Sequence, residues 1–266
     1  MFGTARKKLV KERNILGARR HDLGYAANIL DIFQRYDPSE VNTARLYCSG
    51  SSETMLADLD WQKRGIFMET KLYPNTDVRR GLVNNLKAPK TNKIDMFYLH
   101  GPDRKTPFEK ALCKVNNLYK EGLLTRFDRT TEAELFPCLR KYGFSLYALQ
   151  PLAGGFLTGR YMRDQTEFEE GSRFDPKGLQ GKLHQARQWN KKYFDALVLV
   201  QAAGQKHGLA VSDIALRWIK HHSVSQGDFE DAVIIGVSSI THLEDNLTNL
   251  ERDYLPENVV SISCQT

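Results

Sequence analysis

Along the chain, short runs of branched and aromatic residues alternate with longer segments whose apolar positions recur at helical spacing. Runs of the first kind at residues 40–44, 66–70, 94–100, 144–149 and 232–236 read as strands, with weaker ones at 1–4 and 123–127. Segments of the second kind at 27–36, 52–59, 77–86, 108–121, 132–142, 186–207, 212–222 and 240–250 read as helices. Strand followed by helix, repeated, implies parallel strands with helices packed outside them. A (β/α)8 TIM-barrel type outranks an open doubly wound sheet, because the early G-x-G-x-x-G turn of the latter is missing. Seven strands fall one short of eight, so the pattern alone describes an incomplete barrel. Residues 164–188 are polar with little period and read as a long loop, which in compact domains is usually functional or unstructured.

Composition adds limits. A chain of 266 residues, 41% hydrophobic and 26% charged, can bury a substantial core. Cys48, Cys113, Cys138 and Cys264 are scattered with no C-x-x-C pair, which argues against a disulfide scaffold or structural zinc and favours a reducing compartment. The net charge of +6 is concentrated in the first twenty residues, where seven basic side chains face a single Glu12. No aromatic is interleaved there to stack a base, so the stretch reads as a solvated arm and not as a nucleic-acid contact. The expected organisation is a basic arm at 1–25, with a weak first strand, followed by a barrel domain at 26–266. The chain begins without an apolar leader, and its longest apolar runs, such as 196–200, are too short to span a bilayer. A cytoplasmic location is expected.

In a parallel barrel the C-terminal strand ends carry the chemistry. The first clear strand leads into Asn42 and Tyr47, the second ends at Lys71, and the third ends at His100. An ammonium beside a phenol favours the phenolate and lowers the phenol's pKa, while an imidazole can fix a substrate oxygen. That trio suits proton donation to a carbonyl as it becomes an alkoxide. Singly, each has an ordinary reading as a packing or solvated residue; only their placement on consecutive strand ends favours chemistry.

The stretches EVNTARLYCSG (40–50), METKLYP (68–74), IDMFYLHGPD (94–103), ELFPCLRKYG (134–143), PLAGGFLTGRY (151–161), ALRWIKHHS (215–223) and VIIGVSSITHLEDNL (233–247) resemble, in order, the aldo-keto reductases, and especially their fungal, aflatoxin-aldehyde-reductase-like branch. The resemblance implies a (β/α)8 barrel that uses NADPH to reduce aldehydes or ketones. By resemblance Tyr47 is the proton donor, Lys71 the residue that lowers its pKa and His100 the one that orients the carbonyl oxygen. The family's fourth position, an aspartate holding the lysine, is here Asn42. Likewise Leu152, Gly154, Leu157, Gly159 and Arg160 match the loop over the cofactor pyrophosphate. Ser238, Ser239, His242 and Asn246 match the loop and helix start that grip the adenosine 2′-phosphate; a helix N-terminus bearing hydroxyls is a sound anion site in its own right.

Three departures accompany the match. After residue 127 about forty residues of the family pattern, a strand, a helix and another strand, have no counterpart. Leu149 stands where an aromatic stacks on the nicotinamide. The chain ends without the family's longer tail. The leading expectation is an NADPH-dependent carbonyl reductase, with a place in fungal secondary-metabolite biosynthesis and a homo-oligomer covering the open wall. The alternative is a catalytically impaired relative that binds nucleotide or a partner protein. Membrane and nucleic-acid partners are not expected.

Overall fold

The computed structural model describes residues 22–72, 77–100, 108–129, 146–223 and 231–265, which fall into two compact units divided between Pro137 and Cys138. The first unit opens with α1 (Leu23–Arg35), whose N-terminus is capped by the Asp22 carboxylate accepting from the Tyr25 N–H at 2.6 Å. The helix therefore begins inside the expected 1–25 arm, the rest of which lies outside the described residues. Next come β1 (Glu40–Asn42), α2 (Ser51–Asp58), β2 (Phe67–Leu72), α3 (Val78–Leu86), β3 (Ile94–Leu99), α4 (Phe108–Lys120) and β4 (Leu124–Arg129). The four strands form one parallel sheet in the order β1-β2-β3-β4.

Register sorts the side chains. Asn42 lies beside Glu69, Glu69 beside Met96 and Lys71 beside Tyr98. Because strand side chains alternate, these five share one face of the sheet and Met68, Thr70, Leu72 and Phe97 share the other. The second face packs an apolar core in which Met68, Leu82 and Phe97 are fully buried and Leu72 and Leu86 nearly so. Burying each such side chain stabilises by about 1.5–3 kcal/mol. β2 is buried on both faces, as parallel strands covered by helices are. The first face is thus enclosed yet polar.

Among its described residues the second unit has a parallel pair, β5 (Tyr147–Leu149) with β6 (Ala232–Ile234), and the helices α5 (Leu179–Gln188), α6 (Lys191–His207), α7 (Val211–His221), α8 (Ile240–Glu251) and α9 (Glu257–Gln265). Its core is aromatic: Phe194 meets Phe156 and Trp189 at centroid separations of 5.0 Å each, and Tyr161 meets Phe174 at 4.6 Å. Two expectations are corrected here. The segment 164–188 is not all loop, since its end is α5, and the single helix expected over 186–207 is two. The break has a cause: Trp189 leaves helical geometry to enter the aromatic cluster, and the Asn190 side chain accepts from the Tyr193 N–H at 3.2 Å to start α6. α9, which follows Pro256, was not foreseen. The expected strand at 1–4 and helix at 132–142 lie outside the described residues.

Candidate active site

β1, β2 and β3 bring the expected residues together. Asn42 is the last residue of β1, Lys71 lies in β2, and His100 follows β3 with its backbone N–H donating to the Leu72 carbonyl at 2.7 Å. Tyr47 enters from a tight turn, its N–H donating to the Ala44 carbonyl at 2.9 Å. The next two residues, Cys48 and Ser49, sit at φ 51° and 56°, a left-handed conformation that costs non-glycine residues roughly 1–2 kcal/mol each. Gly50 follows at φ 87°, where an added Cβ would fall 1.7 Å from the Arg45 guanidinium. This strained turn fixes where the Tyr47 ring goes.

Lys71 Nζ donates to the side-chain oxygen of Asn42 and to the Thr43 carbonyl at 3.0 Å. It lies 5.3 Å from the Tyr47 ring centroid and 5.5 Å from that of Tyr98. The Tyr47 and His100 rings touch edge to face. Lys71 is only 9% exposed, and burial pushes its ammonium down to about 8 against the attraction of Glu69 and Glu53. Burial, and then the charge of Lys71, push His100 down to about 4, so its imidazole is neutral at physiological pH.

The sequence reading leaves Lys71 without a carboxylate partner once Asn42 replaces the family aspartate. In the structure the Asn42 amide oxygen does take the Lys71 ammonium, and a buried carboxylate stands one hydrogen bond behind it. Glu69 shares the Lys71 face; Asn42 Nδ2 and, at 3.1 Å, the Tyr98 hydroxyl both donate to its Oε2. Burial raises the Glu69 carboxyl above its ordinary range. Glu53 of α2, also fully buried and raised by burial, accepts from the Thr70 hydroxyl at 2.5 Å and has Arg45 at 3.9 Å. The missed signal was strand alternation: a glutamate two places before the key lysine, inside a strand buried on both faces, must share its face.

In the second unit, residues matched to a cofactor form two loops. A short turn over Ala153–Thr158 holds Gly154 and Gly155 at φ 72° and 102°, and Gly159 closes it at φ 76°. The Leu152 carbonyl accepts the Gly155 and Leu157 N–H groups at 2.8 and 3.2 Å, and Leu157 packs on the aromatic core. Arg160 is half-exposed, donating to the Tyr161 hydroxyl at 2.6 Å and lying 3.5 Å from Glu169. At the start of α8, Ser239 Oγ accepts the His242 N–H at 3.1 Å, Ser238 Oγ lies 3.3 Å from His242 Nδ1, and Asn246 is buried one turn on. Leu149, at the end of β5, is 52% exposed. Among the described residues no group of His, Cys, Asp or Glu could hold a metal ion, and no helix is long and apolar enough to cross a membrane.

The Aldo/keto reductase family model matches residues 16–127 and 123–263, two stretches that overlap at 123–127, where the sequence pattern led us to expect a missing segment. The chain is similar to an aldo-keto reductase of Pseudocercospora fijiensis, 41% identical over 278 aligned positions covering 87% of this chain and 94% of that one. It is 39% identical to aldo-keto reductase pigE of Monascus ruber, covering 88% of this chain and 84% of that one. Aflatoxin B1 aldehyde reductase member 4 of Homo sapiens is 32% identical, with 92% and 91% covered. An alignment of 278 positions is longer than the whole 266-residue chain, so the relatives carry residues with no counterpart here. Among solved structures, a glycerol dehydrogenase from Gluconobacter oxydans has a TM-score of 0.69 at 16% identity, covering 91% of this chain and 84% of that one. An aldo-keto reductase from Klebsiella pneumoniae in complex with NADPH has a TM-score of 0.66 at 15% identity, covering 99% and 90%. These likenesses carry the fold class, a (β/α)8 barrel type made incomplete by the stretch absent after residue 127. With the sheet ends, the ordered motifs and the family model in agreement over most of its length, this chain belongs to the aldo/keto reductase family.

Proposed function

We propose that the protein reduces an aldehyde or ketone to the alcohol with NADPH, and that Tyr47 supplies the proton. The observation that carries this is the buried ammonium of Lys71 held 5.3 Å from the Tyr47 ring, with His100 on that ring's edge. An ammonium has three donors, and two of them go to Asn42 and Thr43, leaving one for the phenol. As the carbonyl oxygen gains charge, Tyr47 Oη gives up its proton to it. Lys71 stabilises the phenolate left behind, and neutral His100 holds the oxygen by hydrogen bonding without competing as an acid.

The residues fit NADPH by the chemistry of their donors. The turn at Gly154 and Gly155 presents backbone with nothing within 4 Å of an added Cβ at Gly155, an open surface that a pyrophosphate can approach, and Arg160 supplies charge. The N-terminus of the twelve-residue α8, with Ser238, Ser239, His242 and Asn246, suits a 2′-phosphate. When bound, NADPH supplies the hydride. The resemblance of the sequence to the fungal branch of the family is what supports a place for this carbonyl reduction in secondary-metabolite biosynthesis.

The stretch absent after residue 127 and the exposed Leu149 favour a second reading, a relative that binds nucleotide or a partner without turnover. NADPH binding, read by quenching of tryptophan fluorescence, and turnover on a panel of aldehydes separate the two. Binding with turnover that Tyr47→Phe abolishes supports the reductase; binding with no turnover on any carbonyl overturns it.

A further inference from the structure

We infer that Glu69 is a positioning residue whose carboxylate, acting through the side-chain amide of Asn42, holds the Lys71 ammonium in place beside Tyr47. The inference rests on reading Tyr47 as the proton donor. Its own content is narrower: the negative charge that position 42 lacks stands at position 69, and the amide passes it on.

Chemistry fixes the direction of the chain of hydrogen bonds. An ammonium only donates and a carboxylate only accepts, while an amide does both. Lys71 Nζ donates to Asn42 Oδ1, and Asn42 Nδ2 donates to Glu69 Oε2, so each group is in the one role open to it. The Tyr98 hydroxyl, 3.1 Å away, donates to the same Glu69 oxygen and holds it from the opposite strand. Glu69 is 1% exposed and Tyr98 3%, so solvent contributes little screening.

Among the described residues, the groups facing Lys71 come from several elements: Glu69 from its own strand, Asn42 from the end of β1 and Thr43 just after it, Tyr47 from the following turn, Glu53 from α2, Tyr98 from β3 and His100 just after that strand. Two of these are carboxylates. Glu53 is occupied elsewhere, accepting from Thr70 on the opposite face of β2 with Arg45 nearby. Glu69 alone of the two connects to Lys71 through an unbroken pair of hydrogen bonds. An ammonium buried with its counter-charge removed is strongly disfavoured, so the relay has a measurable consequence.

The test titrates Lys71 directly, by NMR of the full chain with lysine labelled at Cε and the signal assigned by its loss in Lys71→Met. Glu69→Gln keeps the shape and removes the charge; its Lys71 midpoint should fall by about one unit or more, tenfold less ammonium at a given pH above the midpoint. The exchange Asn42→Asp with Glu69→Gln puts the carboxylate on residue 42 and the amide on residue 69, and should return the midpoint to the parent's value or above. Asn42→Ala cuts the relay while leaving the carboxylate, and should lower the midpoint too; it serves if Glu69→Gln folds poorly. The alkaline limb of kcat should move with the midpoint in each variant. A Lys71 midpoint unmoved by Glu69→Gln or by Asn42→Ala, or not restored by the exchange, overturns the relay. Turnover surviving in Tyr47→Phe would instead overturn the proton-donor reading and leave the titration result standing.

Discussion

The rings of Tyr47 and His100 meet edge to face, their centroids 5.6 Å apart and their planes at 87°. An imidazole packed this way, close to a buried ammonium, does not gain a second charge cheaply. Its pKa is pushed down to about 4, while an unfolded histidine keeps an ordinary value near 6.5. Below about pH 6.5 the unfolded chain therefore binds a proton at this residue that the folded chain refuses, and stability is lost as pH falls toward 4. Replacing the imidazole by the neutral amide of His100→Gln removes that term. Urea unfolding at pH 7 and pH 4.5 should show the parent losing about 2 kcal/mol more than the variant.

Lys71 gives the alkaline counterpart. Its ammonium is needed beside the phenolate, and burial has brought its pKa down to about 8. Turnover should fall as pH rises through about 8, and Lys71→Met should lower kcat by roughly 10²–10⁴-fold at neutral pH. Stability should move the opposite way. Between about 8 and 10.5 the unfolded chain holds the proton and the folded chain has released it, so the fold gains stability over the window in which activity is lost. Parallel loss of activity and stability above pH 8 would contradict this assignment.

Much of this architecture was legible because β-branched and aromatic runs sat where strands were needed. β3 and the start of α8 were read almost to the residue, and the weak run at 123–127 is a strand, β4 (Leu124–Arg129). What escaped was set by contacts distant in sequence. Trp189 breaks a periodic stretch because the aromatic core takes its ring, although Asn190 is a helix-capping residue in plain view. α9 (Glu257–Gln265) has weak periodicity and was signalled mainly by the preceding Pro256. At the site, the resemblance directed attention to Asn42 as a lost charge and away from Glu69. Only the register, Asn42 beside Glu69, shows the charge still present nearby.

Two adjacent glycines in the second unit should respond differently to alanine. Both have positive φ, so alanine at either would carry a left-handed strain of about 1–2 kcal/mol that glycine does not. A Cβ on Gly154 would also lie 2.6 Å from His184 Cε1, in a ring that is itself buried, whereas a Cβ on Gly155 meets nothing within 4 Å. Gly154→Ala should lower the melting temperature clearly more than Gly155→Ala. On the proposed function, Gly155→Ala should weaken NADPH binding out of proportion to its effect on folding. Equal melting temperatures for the two variants would refute the packing argument.

Ser239 is expected to serve both fold and cofactor. Its hydroxyl caps α8 by accepting the His242 N–H at 3.1 Å, and Ser239→Ala should cost about 1 kcal/mol of stability. If the start of α8 also receives the 2′-phosphate, the same substitution should weaken NADPH more than NADH, a group NADH lacks. Thermal shifts with each nucleotide separate the two effects. An equal loss of affinity for both cofactors would leave Ser239 with the cap alone.

Restoring the family's aspartate by Asn42→Asp tests how far this site has moved from that pattern. Viewed from the sequence, the reversion supplies a missing partner for Lys71 and should help. Viewed from the structure, it turns the Asn42 Nδ2 donor into an oxygen aimed at Glu69 Oε2, so two carboxylates share one buried spot. Like charges at that separation cannot both ionise freely, and the pair's apparent pKa must rise above the unfolded carboxylate value. A raised folded pKa contributes stability that is fully present below the unfolded value and is lost as pH rises through the folded one. Asn42→Asp should therefore match the parent most closely near pH 4–5 and fall behind by about 2 kcal/mol toward pH 8. Adding Glu69→Gln returns a donor to the contact and should abolish the pH-dependent deficit. Equal stability of Asn42→Asp and parent across that range would mean that the buried carboxylates do not oppose each other, and that Glu69 is not held against residue 42 in solution.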